Sequence, residues 1–269
     1  MKRLRGIVRD GGERSDRLDG TIRQEAPPGH TEGGYGKAVI IDDLPIEIDL
    51  DMLLTLSGYS EARPAPKRLV DAAARMIEVG RRLSKPAAVY EVHEVADDTA
   101  GKVRLGRAQF SGKILKTVLT GSELAAVYAA TLGPGLDAEA ARLTAEGDVL
   151  SSVLLDTIGS LILTRSAVSF VGRVLDTEAR PRKYAVTAPF GPGQCQWDLA
   201  EQRLLFDLID PSQIGVALTD TFLMIPKKSV SGIIGIGPAD RVFDRSPCQV
   251  CNRKECPGRQ MVEYGGVRP

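Results

Sequence analysis

The sequence reads as an α+β domain: a twisted, mainly antiparallel sheet with helices packed against it. Two observations lead there. Apolar stripes at helical spacing mark long helices, one opened by Pro64 and Pro66 and one over residues 148–174. Short apolar runs bounded by Gly and Pro mark strands that do not alternate one for one with those helices, as a parallel sheet would require.

Residues 1–36 are rich in Arg, Asp, Glu and Gly and poor in large apolar side chains, so they are expected to form a flexible or loosely packed arm before a domain spanning 37–244. Leu69, Ala73, Met76, Ile77, Gly80 and Leu83 fall on one helical stripe, which Pro86 ends. Strand-like runs follow at Ala88–Val95, Arg104–Phe110 and Ile114–Leu119, then a buried strand at Ala125–Leu132 that stops at Gly133-Pro134-Gly135. Asp137 is placed to cap a helix that Gly147 breaks. Beyond it, Leu150, Leu154, Leu155, Ile158, Leu161 and Ile162 give the next helix so wide an apolar face that it belongs in the centre of the fold. Lys183–Thr187 reads as a strand, Asp198 and Glu201 as a capping box for a helix from Leu199 to about Asp210, and Val216–Leu223 and Val230–Ile236 as two late strands joined by Pro226-Lys227-Lys228.

Composition narrows the function classes. With 43% apolar and 26% charged residues the chain can bury an ordinary core, and with a formal net charge of zero it lacks the basic excess of a nucleic-acid binder. Its best apolar run, Val149–Leu163, contains Asp156 and is too short for a bilayer, and no apolar segment follows the basic start Met1–Arg5. The expected setting is the cytoplasm, with neither membrane nor nucleic acid as partner. In a reducing compartment, clustered cysteines point to metal or redox chemistry rather than to structural disulfides.

Three constellations carry potential chemistry. The loop Gly191-Pro192-Gly193-Gln194-Cys195-Gln196-Trp197 allows close backbone approach to a ligand and feeds a helix start, which suits an anionic group. Lys227-Lys228-Ser229-Val230-Ser231-Gly232 would point the hydroxyls of Ser229 and Ser231 to one face of a strand, with two lysines at its entrance to contact an anion. Cys248, Cys251 and Cys256, within residues 245–269, have a chelating spacing. Cys195, the remaining cysteine, is the candidate fourth ligand of a zinc site or an iron–sulfur cluster. His93 on a strand reads as structural.

The order of several pieces resembles the activation domain of cobalamin-dependent methionine synthase. These are Gly147-Asp148-Val149-Leu150 through Asp156-Thr157-Ile158-Gly159-Ser160, then Pro192–Trp197, then Ile214–Thr221, then Pro226–Gly232. The resemblance covers roughly residues 60–240. It implies a C-shaped α+β domain that binds S-adenosylmethionine in a shallow groove and docks over a cobalamin presented by a partner. That partner would be a corrinoid-binding protein or a methionine synthase lacking its own activation domain, served by an external electron donor. By resemblance, Gly193, Gln194, Lys228, Ser229 and Ser231 are the ligand-contacting positions. Gln194 and Pro189 stand where the family has tyrosine and arginine, which leaves Arg182 and Lys183 upstream as candidates for the arginine's role. The leading expectation is an accessory protein for reductive reactivation of a corrinoid protein. The alternatives are a metal-binding redox carrier, or a docking module, on the same scaffold.

Overall fold

The structure is a computed structural model, and it describes residues 21–24, 38–97 and 102–252. Its main sheet is antiparallel throughout. In chain order its elements are strands β1 (Thr21–Gln24) and β2 (Val39–Asp42), helices α1 (Leu50–Leu56) and α2 (Lys67–Leu83), and strands β3 (Ala87–Asp97), β4 (Val103–Leu105) and β5 (Ala108–Phe110). Helix α3 (Lys113–Val118), strand β6 (Leu124–Thr131) and helices α4 (Gly135–Ala145), α5 (Val149–Ile162) and α6 (Ser169–Ala179) come next. The described residues finish with β7 (Tyr184–Val186), α7 (Gln202–Leu208), β8 (Ala217–Leu218), β9 (Met224–Ile225), β10 (Ser229–Pro238) and α8 (Pro247–Val250). The sheet order is β1-β2-β3-β6-β10-β7, and the β4–β5 hairpin extends from the end of β3.

β6 shows why the sheet is covered on both faces. All eight of its residues are buried. Leu124, Ala126, Tyr128 and Ala130 join a core with α2, α5 and α6, while Ala125, Val127 and Ala129 join a second core with Leu115, Phe110, Phe190, Trp197 and Leu205. A strand buried on both sides carries a continuous apolar run instead of an alternating one. The helical layer is tight where α2 crosses α5: a Cβ on Gly80 would stand 2.6 Å from Ile158 Cγ2.

The long helix expected over 148–174 runs unbroken in direction but changes winding. α5 passes through a π-helical segment, Leu163–Val168, before α6. Ser166 in that segment is fully buried, and its hydroxyl accepts the Glu47 backbone N–H at 2.8 Å. Contrary to the sequence reading, the continuous helical stretch Val149–Arg182, 34 residues, is long and apolar enough to cross a membrane by length and composition. In the fold 61% of its most apolar window is buried, which is what a central core helix does.

Three further expectations are corrected. Part of the N-terminal arm is ordered, since Thr21–Gln24 pairs with β2; residues 1–20 and 25–37 lie outside the described residues. Ile114–Leu119 is helix α3, not a strand: Leu115 and Val118 are buried while Lys116 between them is exposed, a spacing of three instead of two. Val216–Leu223 is not one strand. Thr219 accepts the Phe222 N–H at 2.9 Å and donates its own N–H to Leu223 at 2.8 Å, so this polar stretch turns and leaves only the β8–β9 hairpin.

Candidate functional site

After β7 the chain continues along β10, and this puts the glycine–proline loop beside the serine strand. Phe190 and Ile233 exchange both backbone hydrogen bonds, at 3.0 and 2.7 Å. Gly191 then lies so close to β10 that a Cβ there would be 2.4 Å from the Ser231 carbonyl oxygen. The two constellations are therefore neighbours in space. Trp197 anchors the loop from below: it is 2% exposed, stacks on Phe190 at 5.1 Å and meets Phe110 edge-on at 5.9 Å.

The loop closes on itself more than the sequence implied. Gly191 N–H donates to the Gln194 side-chain oxygen at 3.1 Å, Gly193 N–H to the Trp197 carbonyl at 2.8 Å, and Gln194 N–H to the Gly191 carbonyl at 3.1 Å. Most of the amides expected to face a ligand are engaged internally. The capping box is half made. Asp198 accepts the Ala200 N–H at 2.9 Å, but the Glu201 carboxylate instead takes the Trp197 indole N–H at 2.7 Å and the Ser111 N–H at 2.8 Å.

Alternation along β10 separates the other positions. Ser229, Ser231 and Ile233 share the face of the second core, while Val230, Ile234 and Ile236 face the helices. The Ser229 hydroxyl donates to Thr131 Oγ1 at 2.8 Å, and the Ser231 hydroxyl is buried with no hydrogen-bond partner. Lys228 belongs to the helix side. Its ammonium stands 2.8 Å from Asp156 and donates to the Ser160 hydroxyl at 3.0 Å, and its aliphatic chain lies over Gly159. It is thus parted from the two serines. Sequence reasoning missed this clamp, although Asp156, Gly159 and Ser160 at i, i+3 and i+4 were its visible signal.

Arg182 does not join the loop. β7 pairs antiparallel with β10 so that Tyr184 faces Pro238, whereas Gly191 faces Ser231. Seven strand residues separate those points, roughly 23 Å at about 3.3 Å per residue. Arg182 therefore sits at the opposite end of β10, where its Nη1 is buried without a partner. It cannot stand in for an arginine of the loop.

Of the four cysteines, Cys195 reaches the segment that carries Cys248. Cys195 Sγ is 3.8 Å from the Pro247 carbonyl, and the single turn α8 carries Cys248 with Cys251 as its C-terminal cap. Cys195, Cys248 and Cys251 are half-buried and not bridged to one another. Cys256 lies outside the described residues. Among the described residues no three His, Cys, Asp or Glu side chains are already gathered to hold a metal ion.

His93 lies on β3, and its Nε2 is buried without a hydrogen-bond partner. It is buried beside Gly106, and burial first, with Arg107 second, lowers its pKa to about 4. Burial raises the neighbouring Glu91 to about 7 against the opposing charge of Arg107. At neutral pH His93 is uncharged, so its 3.9 Å approach to Glu91 is not an ion pair. The two groups act oppositely on stability. The depressed His93 stabilises less as pH falls from about 6.5 to 4, whereas the raised Glu91 destabilises more as pH rises from about 4.5 to 7. Glu91→Gln is therefore expected to gain stability relative to the parent between pH 5 and 8, measured by thermal unfolding across that range. A difference independent of pH would contradict this. On the surface nearby, Arg107, Ala108, Gln109, Leu204 and Asp207 line a depression of about 420 Å³, away from the glycine loop.

Fold and site together define an antiparallel α+β domain in which a glycine–proline loop is laid against a serine-bearing strand. Residues 181–254 match the family described as the activation domain of vitamin B12-dependent methionine synthase. The matched segment contains both the loop and the serine strand. Among solved structures the chain is similar to the MetH reactivation domain bound to AdoHcy, with a TM-score of 0.47 and 14% identity, covering 81% of this chain and 83% of that one. No curated protein matches the sequence.

Proposed function

We propose that the chain is an accessory protein that returns an inactivated corrinoid protein to its methylated state, with S-adenosylmethionine as methyl donor. One observation carries this reading: the family match over 181–254 takes in the two pieces, Gly191–Trp197 and Ser229–Gly232, that lie side by side. At that junction a ligand carboxylate would displace the Gln194 side chain from the Gly191 N–H. The unpartnered Ser231 hydroxyl is a further polar group that such a ligand would satisfy. An electron from an external donor reduces the partner's Co(II). The reduced cobalt supplies both electrons of the new cobalt–carbon bond, and the sulfonium leaves as the thioether S-adenosylhomocysteine. The partner would dock on exposed apolar side chains such as Val149 and Val153 on α5, a helix that the Lys228–Asp156 pair ties to the start of β10, and Leu223 and Ile225 on the β8–β9 hairpin.

The test is an anaerobic incubation of a Co(II) corrinoid protein with a low-potential reductant and methyl-labelled S-adenosylmethionine. Label is expected on the corrinoid faster with the chain than without it; equal rates would refute the reading. Calorimetry with S-adenosylmethionine alone checks the donor, and an absence of heat would remove it. The second reading, a metal-binding redox or docking protein on this scaffold, is favoured by Pro189 and Gln194 at the family's arginine and tyrosine positions. It predicts unchanged corrinoid methylation and a protein that carries a metal.

A further inference from the structure

We propose that the depression between the β4–β5 turn and α7 is a second ligand site, one that takes a free α-amino acid with an apolar side chain. The inference does not rest on the reading of the glycine–proline loop. The depression holds about 420 Å³, within the size range of small-molecule sites. Its lining is one cation, one anion, one carboxamide and two apolar side chains: Arg107, Asp207, Gln109, Ala108 and Leu204. A zwitterion with a hydrocarbon side chain matches that set group for group. Arg107 offers a planar fork to the carboxylate, Asp207 an acceptor to the ammonium, and Leu204 with Ala108 an apolar wall.

Both charges are available. Among the described residues neither Arg107 nor Asp207 is held in an ion pair, whereas Arg81 on α2 and Arg142 on α4 each are. The frame that carries them is fixed at both ends. Ahead of α7 the Glu201 carboxylate takes the Ser111 N–H at 2.8 Å, just beyond β5. At the other end Leu208 packs over the β4–β5 turn: a Cβ on Gly106, where φ is +51°, would stand 3.5 Å from Leu208 Cδ2 and 2.9 Å from His93 Nδ1.

Behind Arg107 lie Glu91 and His93, on one face of β3, and neither is used by the loop site. β6 sets the uncharged Val127 and Ala125 opposite them, and Leu208 and Ile214 pack on the same core. The charged residues of the β4–β5 hairpin and of segment 202–210 are Arg104, Arg107, Arg203, Asp207 and Asp210. Asp210 is spent on Ser212 and Gln213, and Arg107 is the one that acts on both Glu91 and His93. A carboxylate seated on Arg107 offsets its charge, so Glu91 rises further above about 7 and takes a proton from the buffer at neutral pH. His93 starts from about 4 and stays neutral.

The experiment titrates L-leucine into the isotope-labelled full chain at neutral pH and follows backbone amide shifts. Saturable shifts at Ala108, Gln109 and Leu204 are expected. Shifts confined to Gly191–Trp197 would assign the amino acid to the loop and overturn the proposal, as would no saturable shift. Isoamylamine, which lacks the carboxylate, and isocaproate, which lacks the ammonium, should each bind at least about 10-fold more weakly, the usual effect of losing one charge-assisted contact. Equal affinity for all three would reduce the site to an apolar patch. Arg107→Gln and Asp207→Asn change exposed side chains and should cost a similar factor; unchanged affinity in both would place the ligand elsewhere. Calorimetry in two buffers of different ionisation enthalpy reads the proton. Uptake is expected in the parent and not in Glu91→Gln, which should still bind; uptake that persists in the variant, or none in the parent, would contradict a carboxylate on Arg107.

Discussion

Trp197→Ala is expected to lower stability by about 3–5 kcal/mol, the usual cost of removing a large aromatic side chain from a core, and the melting temperature by roughly 10 °C. The side chain joins three parts of the second core. Its ring stacks on Phe190 of the loop, abuts Phe110 at the end of β5, and donates to Glu201 just ahead of α7. Truncation leaves a cavity among all three. Trp197→Phe separates the contributions: it keeps most of the stacking and loses the indole hydrogen bond, so about 1–2 kcal/mol is expected. Chemical denaturation of both variants checks the ordering, and an alanine variant no less stable than the phenylalanine one would contradict it.

Gly191→Ala should be the more damaging change for function. The added methyl would meet the Ser231 carbonyl at 2.4 Å, and that neighbour is backbone in a paired strand, which cannot rotate away. The loop must lift from β10, straining the Phe190–Ile233 hydrogen bonds and opening the junction proposed to hold S-adenosylmethionine. A loss of about 1–3 kcal/mol is expected, together with weakened ligand binding by calorimetry. Gly172→Ala is the matched control. Nothing lies within 4 Å of its Cβ position in α6, and alanine there should be neutral or stabilise by up to about 1 kcal/mol. Equal effects at the two positions would contradict the packing argument.

Much of the scaffold was legible because its signals are local. The stripe over α2, the apolar run of β6 and the wide face of α5 each state their own period, and each is found where expected. Shorter pieces were not. β1, β8 and β9 have four residues or fewer and owe their conformation to a neighbouring strand or a turn. The six residues of α3 hold only three apolar positions, too few to separate a helical period from a strand's.

The candidate site divides the same way. Its vocabulary was readable: a glycine–proline loop, paired serines, a lysine and clustered thiols. Its grouping was not. Lys228 and Ser229 are adjacent in sequence but address opposite faces of the sheet, and Arg182 lies near the loop in sequence but at the far end of β10. Cys195 and Pro247 are distant in sequence and yet meet.

By itself, then, the sequence determined the fold class, the long elements and the kinds of side chain available for chemistry, since these follow from periodicity and composition within short windows. Tertiary structure alone decided which of those side chains meet. Strand alternation and antiparallel register assign partners across gaps of 40 residues and more, and no local pattern records that pairing.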